Sequence, residues 1–271
     1  MMGLSLAVLL GGAAWLAQPW WVARRRAHVR AQTFPAAWRR ILRRRVPLVA
    51  RLPPPLQRRL KGHMQVFLAE KPLIGCQGLR VDDDMRVTVA AQACLLLLGQ
   101  ARPDYFPALR QVLLYPDAFV VDRVRMLGGG VLQDQRRVLA GESWQRGQVI
   151  LSWADVVQGG AVPDDGRNVV LHEFAHQLDQ QTGAANGAPH QGDRELAERW
   201  ARVMSTAFAH LQALAAAGLP SVLSDYGTTD EAEFFAVATE AFFEQPCALE
   251  AEYPALYGEF VRYFGIDPSH W

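Results

Sequence analysis

His172-Glu173-Phe174-Ala175-His176 forms an HExxH pentapeptide. Two histidines four residues apart lie one turn above each other on a helix, so both imidazoles can reach one metal ion. Glu173, beside the first histidine, is placed to face the water such an ion activates. The chemistry expected is peptide-bond hydrolysis, with Zn2+ as the cofactor and Glu173 as the base. The apolar neighbours Val169, Val170, Leu171, Phe174, Ala175 and Leu178 predict a helix that opens near Arg167 or Asn168. Two unliganded histidines on so apolar a helix would be costly to satisfy.

A catalytic zinc has three protein ligands and one open position. Asp179, His190, Glu195, Glu231, Glu233 and Glu240 are the nearby candidates, and position alone does not choose among them. Asp179, three residues past His176, is expected to tether a ligand histidine or to cap a neighbouring loop. Glu233 stands in an otherwise apolar helix running from Thr229 or Asp230 to Glu244. A glutamate there enters the core only when paired or metal-bound. Glu240 is seven residues further, hence on the same face, and is expected behind the ligands.

These residues need a scaffold. Leu56, Leu60, Met64 and Phe67 predict a helix over Leu56–Glu70, and a second apolar pattern runs from Met85 to Leu98. Short strands are expected at Gly78–Val81, Val112–Tyr115, Ala118–Val121, Arg136–Ala140 and Gln148–Trp153, the last as a sheet edge on which extended peptide pairs. A long helix follows from Arg194 to about Ala217. Gly128-Gly129-Gly130 lacks the lysine and the serine or threonine of a phosphate loop, so no nucleotide role is assigned to it. Short strands first and long helices later predict an α+β domain, mostly helical with a small mixed sheet.

The chain has 271 residues, half of them apolar, and a formal net charge of +1 that hides a strong asymmetry. Residues 1–23 carry no charge, and residues 24–61 carry 13 Arg or Lys with no Asp or Glu. The remainder holds 15 basic and 27 acidic residues, a formal charge of −12. So acidic a body argues against nucleic acid as a ligand. The uncharged run Leu4–Val22, with Trp15, Trp20 and Trp21, would span about 28 Å as a helix. Because the arginines follow it, the expectation is an uncleaved anchor, residues 1–23, on the cytoplasmic face of the inner membrane. A basic juxtamembrane segment, 24–55, would then meet anionic lipid, and 56–271 would form the catalytic domain. The alternative is a soluble cytoplasmic protein whose first helix is buried or lies on an interface. Cys76, Cys94 and Cys247 have no CxxC spacing and no disulfide framework.

Several segments together carry a family resemblance: Phe67-Leu68-Ala69-Glu70-Lys71, Ala90-Ala91-Gln92-Ala93-Cys94-Leu95, Gly166-Arg167-Asn168-Val169-Val170-Leu171 leading into HEFAHQLD, and EFFAVATEAFFEQP at 233–246. From about Leu56 to Pro268 the chain resembles the Mlc titration factor A family of bacterial zinc peptidases, whose catalytic core is similar to that of anthrax toxin lethal factor. The resemblance implies a zincin-like fold. In both, a tyrosine motif precedes the third ligand; here Asp225-Tyr226-Gly227 precedes Glu233. The resemblance thus implies His172, His176 and Glu233 as zinc ligands and Tyr226 as the catalytic tyrosine. It also implies aminopeptidase-like activity and binding to an Mlc-type repressor that controls sugar-uptake genes. A protein of another class, a regulatory binding module with a mainly structural zinc, would need neither Glu173 nor Tyr226 and would close the metal with a fourth ligand.

Overall fold

The computed structural model describes residues 18–271 apart from 101–102, 118, 128–130, 140, 145–146 and 184, with the backbone alone over 119–144 and at 182. The expected strand beginning at Ala118 is described from Phe119 onward, and the triple glycine lies outside the described residues. The expected anchor lies mostly outside them as well. Among the described residues no helix is long and apolar enough to cross a membrane.

The first described helix, α1, covers residues 18–31. It is followed by α2 (Ala36–Arg45), α3 (Leu48–Arg51) and α4 (Pro54–Glu70). Leu42, Val46, Leu48, Val49 and Leu52 are buried in the same core as the rest of the chain, so residues 24–55 pack on the body. Next come β1 (Leu73–Gly75) and α5 (Asp83–Leu95), which Asp82 caps by accepting the Met85 N–H. The strand expected at Gly78–Val81 forms earlier, at β1. Gln77 and Gly78 have φ of 51° and 80°, and this turns the chain back before residue 79.

Strands β2 (Gln111–Tyr115), β3 (Phe119–Leu127), β4 (Val131–Leu139), β5 (Gly141–Trp144) and β6 (Gln148–Ser152) follow. The main sheet has the order β1-β2-β6-β5. Its first three strands are parallel, and β5 runs antiparallel to β6. Strands β3 and β4 form a separate antiparallel hairpin. The expected edge strand, β6, is therefore interior: β2 pairs with one side of it and β5 with the other. Its burial explains this placement, since Val149 and Leu151 face the core opposite Val112 and Leu114. The outer strand on that side is β5, which runs beside the helix carrying the HExxH motif.

Helix α6 (Trp153–Ala161) starts where β6 ends, with Ser152 as its N-cap. Then come α7 (Val169–Asp179), α8 (Arg194–Ala216), a 3₁₀ turn at Asp225–Thr228, α9 (Glu231–Glu244), α10 (Pro246–Glu252) and α11 (Pro254–Phe264). The result is an α+β chain, mostly helical, with a small mixed sheet. Helix α7 is central and packs on α5, α6 and α9. Phe174 turns away from the histidines into a cluster with Phe67 and Phe106, at centroid distances of 5.7 and 4.8 Å. On the far side of α9, Phe235 and Phe242 meet Phe260 of α11. That aromatic packing holds α9 so that its glutamate stripe, 233–240–244, faces α7.

Candidate metal centre

Asn168 sets the start of the site. Its side chain accepts the N–H groups of Val170 and Leu171, as an N-cap does. The helix it opens carries His172 and His176 on one face, their ring centroids 4.9 Å apart. Helix α9 starts the same way, with Asp230 accepting the Glu233 N–H. Glu233 reaches across so that its Oε2 lies 3.0 Å from His172 Nε2 and 3.4 Å from His176 Nε2. One donor atom from each of these three residues lies within 4.8 Å of the other two. Among the described residues, His172, His176 and Glu233 form the group able to hold a metal ion. Of the remaining candidates, His190, Glu195 and Glu231 are exposed and stand outside this group.

Glu240 lies behind the ligands. Its Oε1 is 2.8 Å from His172 Nδ1, and its Oε2 accepts the Asn168 backbone N–H. This contact favours one tautomer of His172. An ionised carboxylate offers only lone pairs, so Nδ1 carries a hydrogen and donates to Glu240. In the neutral ring Nε2 then presents a lone pair to the Glu233 carboxylate. Lone pair against anion is unfavourable unless a cation stands between them or the ring takes a second proton. Burial alone would lower the His172 pKa, yet the hydrogen-bonding carboxylates of Glu233 and Glu240 raise it well above the ordinary imidazole value. Burial alone would likewise raise the Glu233 pKa, and the two histidines bring it far below the ordinary carboxylate value. Two imidazole nitrogens and one carboxylate oxygen converging on one point make a donor set that fits Zn2+, which would take the place of the second imidazole proton.

The side chains of His172, His176 and Glu233 are 13%, 11% and 14% exposed, so solvent partly reaches the donor set. Glu173 is buried. Tyr226 comes from the 3₁₀ turn between α8 and α9, with its ring centroid 6.0 Å from that of His172 and 39% of the residue exposed. Asp179 lies at the other end of α7 and accepts the N–H groups of Gly187 and Ala188 at 2.8 and 2.9 Å. Of its two expected roles, the geometry displays the loop cap.

Two buried residues joined to this network lay outside the sequence-based candidates. Asn168, besides capping α7, donates its side-chain amide to Glu244 Oε1 at 2.9 Å. Glu244 also accepts the Arg167 N–H. Burial, with Glu240 nearby, pushes the Glu244 pKa up to about 8. The signals available were the N-cap position of Asn168 and the four-residue spacing from Glu240 to Glu244.

A family model described as glucose-regulated metallo-peptidase M90 matches residues 20–265, and the chain belongs to this metallopeptidase family. An uncharacterized protein of Synechocystis sp. is 38% identical over 265 residues, 97% of this chain and 96% of its own. Mlc titration factor A of Cronobacter sakazakii is 33% identical over 253 residues, 92% of this chain and 91% of its own. Mlc titration factor A of Salmonella agona is 34% identical over 227 residues, 83% and 84% of the two chains.

Proposed function

We propose that this protein is a zincin-like zinc peptidase that hydrolyses peptide bonds, with aminopeptidase-like action on small peptides. The observation that carries this reading is the convergence of His172 Nε2, His176 Nε2 and a Glu233 oxygen, partly reached by solvent, with the Tyr226 ring 6.0 Å from that of His172. His172, His176 and Glu233 would hold the metal. When bound, Zn2+ supplies Lewis acidity, polarising a carbonyl and making water acidic near neutral pH. Glu173, adjacent to His172 in the chain, takes a proton from the attacking water and returns it to the leaving amine. Tyr226 donates its hydroxyl hydrogen to the oxyanion that develops on the scissile carbonyl. Glu240 keeps the hydrogen of His172 on Nδ1, which leaves Nε2 as the ligand atom. An extended substrate adds by backbone pairing to β5, the outer strand beside α7.

The relatives named Mlc titration factor A support a second role, binding of an Mlc-type repressor. One substitution separates the two. Glu173→Gln should keep its zinc and its fold, lose peptide hydrolysis by at least roughly a thousandfold, and leave repressor binding unchanged. Hydrolysis retained by this variant in a clean preparation would contradict Glu173 as the base. A repressor bound by a wild-type protein that hydrolyses no peptide would favour the regulatory reading.

A further inference from the structure

Helices α1 and α2 have no part in the metal centre, yet they carry nine of the 13 cations of residues 24–61. The structure divides them into two sets. Arg26 pairs with Glu70 at 2.8 Å, Arg45 with Asp84 at 2.6 Å, and Arg30 lies along Gly62 and reaches Tyr105. These three face the body and hold both helices onto it. Arg24, Arg25, Arg39, Arg40 and Arg43 are exposed, and Arg44 remains 64% exposed while reaching Asp84. At 100° per residue, Arg24, Arg25 and His28 lie on the side of α1 opposite Arg26 and Arg30. By the same geometry Arg40 and Arg43 lie on α2 opposite Trp38 and Leu42, which pack inward.

Two large apolar side chains join the basic side of α1. Trp20 and Trp21 are 56% and 61% exposed, one turn before Arg24 and Arg25 on the same outward side of α1. Their rings meet edge to face at 5.0 Å, and the Arg24 guanidinium sits 5.3 Å from the Trp20 centroid. An indole with one polar end and an apolar body suits the boundary between headgroups and acyl chains.

We propose that the α1–α2 face seats the protein on an anionic lipid surface, with Trp20 and Trp21 entering the headgroup region and the outward arginines pairing with lipid phosphates. Basic residues close to an acidic leaflet add binding energy cumulatively, and amphipathic helices of this kind lie in the interface plane. The formal charge of −12 on the rest of the chain is repelled by the same leaflet, which orients the molecule with this face down. Nucleic acid would also attract the arginines. However, the acidic body disfavours it, and the sequence just before the tryptophans, residues 4–19, carries no charge to offer a phosphodiester backbone.

The test mixes the full chain with phosphatidylcholine vesicles, with and without phosphatidylglycerol, and reads co-sedimentation and tryptophan emission at several salt concentrations. Binding should require the anionic lipid, weaken with salt and shift the emission to the blue. The triple variant Arg25→Gln, Arg40→Gln and Arg43→Gln should bind at least roughly tenfold more weakly, with unchanged circular dichroism and unchanged peptide hydrolysis. Trp20→Ala with Trp21→Ala should weaken binding and remove the blue shift. Undiminished binding by the arginine variant would overturn the proposal and assign membrane affinity to the uncharged residues 4–19 instead. Equal binding to neutral vesicles would do the same. Duplex DNA that displaces the protein from anionic vesicles at equal phosphate concentration would replace the bilayer with nucleic acid as the partner.

Discussion

His172 faces a carboxylate at each ring nitrogen, Glu240 at Nδ1 and Glu233 at Nε2. The HExxH spacing was legible because it is local: four residues on a helix fix which side chains share a face. Glu233 stood out as an acid among apolar neighbours, although the family resemblance was needed to choose it. The link from Asn168 to Glu240 and Glu244 was not legible, because it joins groups more than 70 residues apart. Tyr226→Phe removes one hydrogen-bond donor and leaves the ring in place. Its kcat on a peptide substrate should fall roughly a hundredfold, with zinc content unchanged. Glu244 makes a prediction about pH. Its carboxyl titrates at about 8 in the folded chain, against an ordinary value of 4.5. Between those values the native state holds a proton that the unfolded state has lost. Its contribution is therefore complete below about pH 4.5 and is lost as the pH rises toward 8, by up to roughly 1.4 kcal/mol per unit. Thermal melts across this window should show stability falling with pH, and Glu244→Gln should flatten that slope.

The elements that place the site were mostly readable from apolar periodicity. Helices α4, α5, α7, α8 and α9 appear where the pattern predicts them, within a few residues at their ends. Helix α6 escaped detection because Gly159 and Gly160 dilute its pattern. Those glycines allow backbone to approach closely: a Cβ on Gly160 would lie 2.8 Å from the Arg45 carbonyl oxygen. Helices α10 and α11 escaped for the opposite reason. Pro246 reads as a stop, but it and Pro254 each occupy the first turn of the next helix. The edge assignment of β6 failed because pairing partners are tertiary information that a single strand does not carry. At this scale the tight junction is Gly187. Its N–H donates to Asp179 of α7, its carbonyl accepts Trp200 Nε1 of α8, and a Cβ there would meet the Glu231 carbonyl oxygen of α9 at 2.4 Å. Its φ is 71°. Gly187→Ala adds backbone strain and a steric clash where three helices meet, and should cost about 1–3 kcal/mol, measured as a lower Tm or a lower denaturant midpoint.

Across the whole molecule, the charge asymmetry seen in the sequence survives folding in a divided form. The inward arginines bind α1 and α2 to an acidic body, and the outward ones leave a basic face. Composition could not make that division, since it depends on which side of each helix meets the core. The family match from residue 20 to 265 also takes in these first helices, which the resemblance read from the sequence, starting near Leu56, did not reach. The aromatic core between α8, α9 and α11 fixes α9, α9 fixes Glu233, and the three-donor group depends on all of them. The proposed function requires that His172, His176 and Glu233 together hold one metal ion. The most direct test measures zinc in the purified 271-residue chain after dialysis against a weak chelator, beside Glu233→Gln and Glu173→Gln. The wild type and Glu173→Gln should each hold one zinc per chain, and Glu233→Gln should bind it at least roughly a hundredfold more weakly. Equal zinc affinity without the Glu233 carboxylate, or a folded wild-type chain that takes up no zinc, would contradict it.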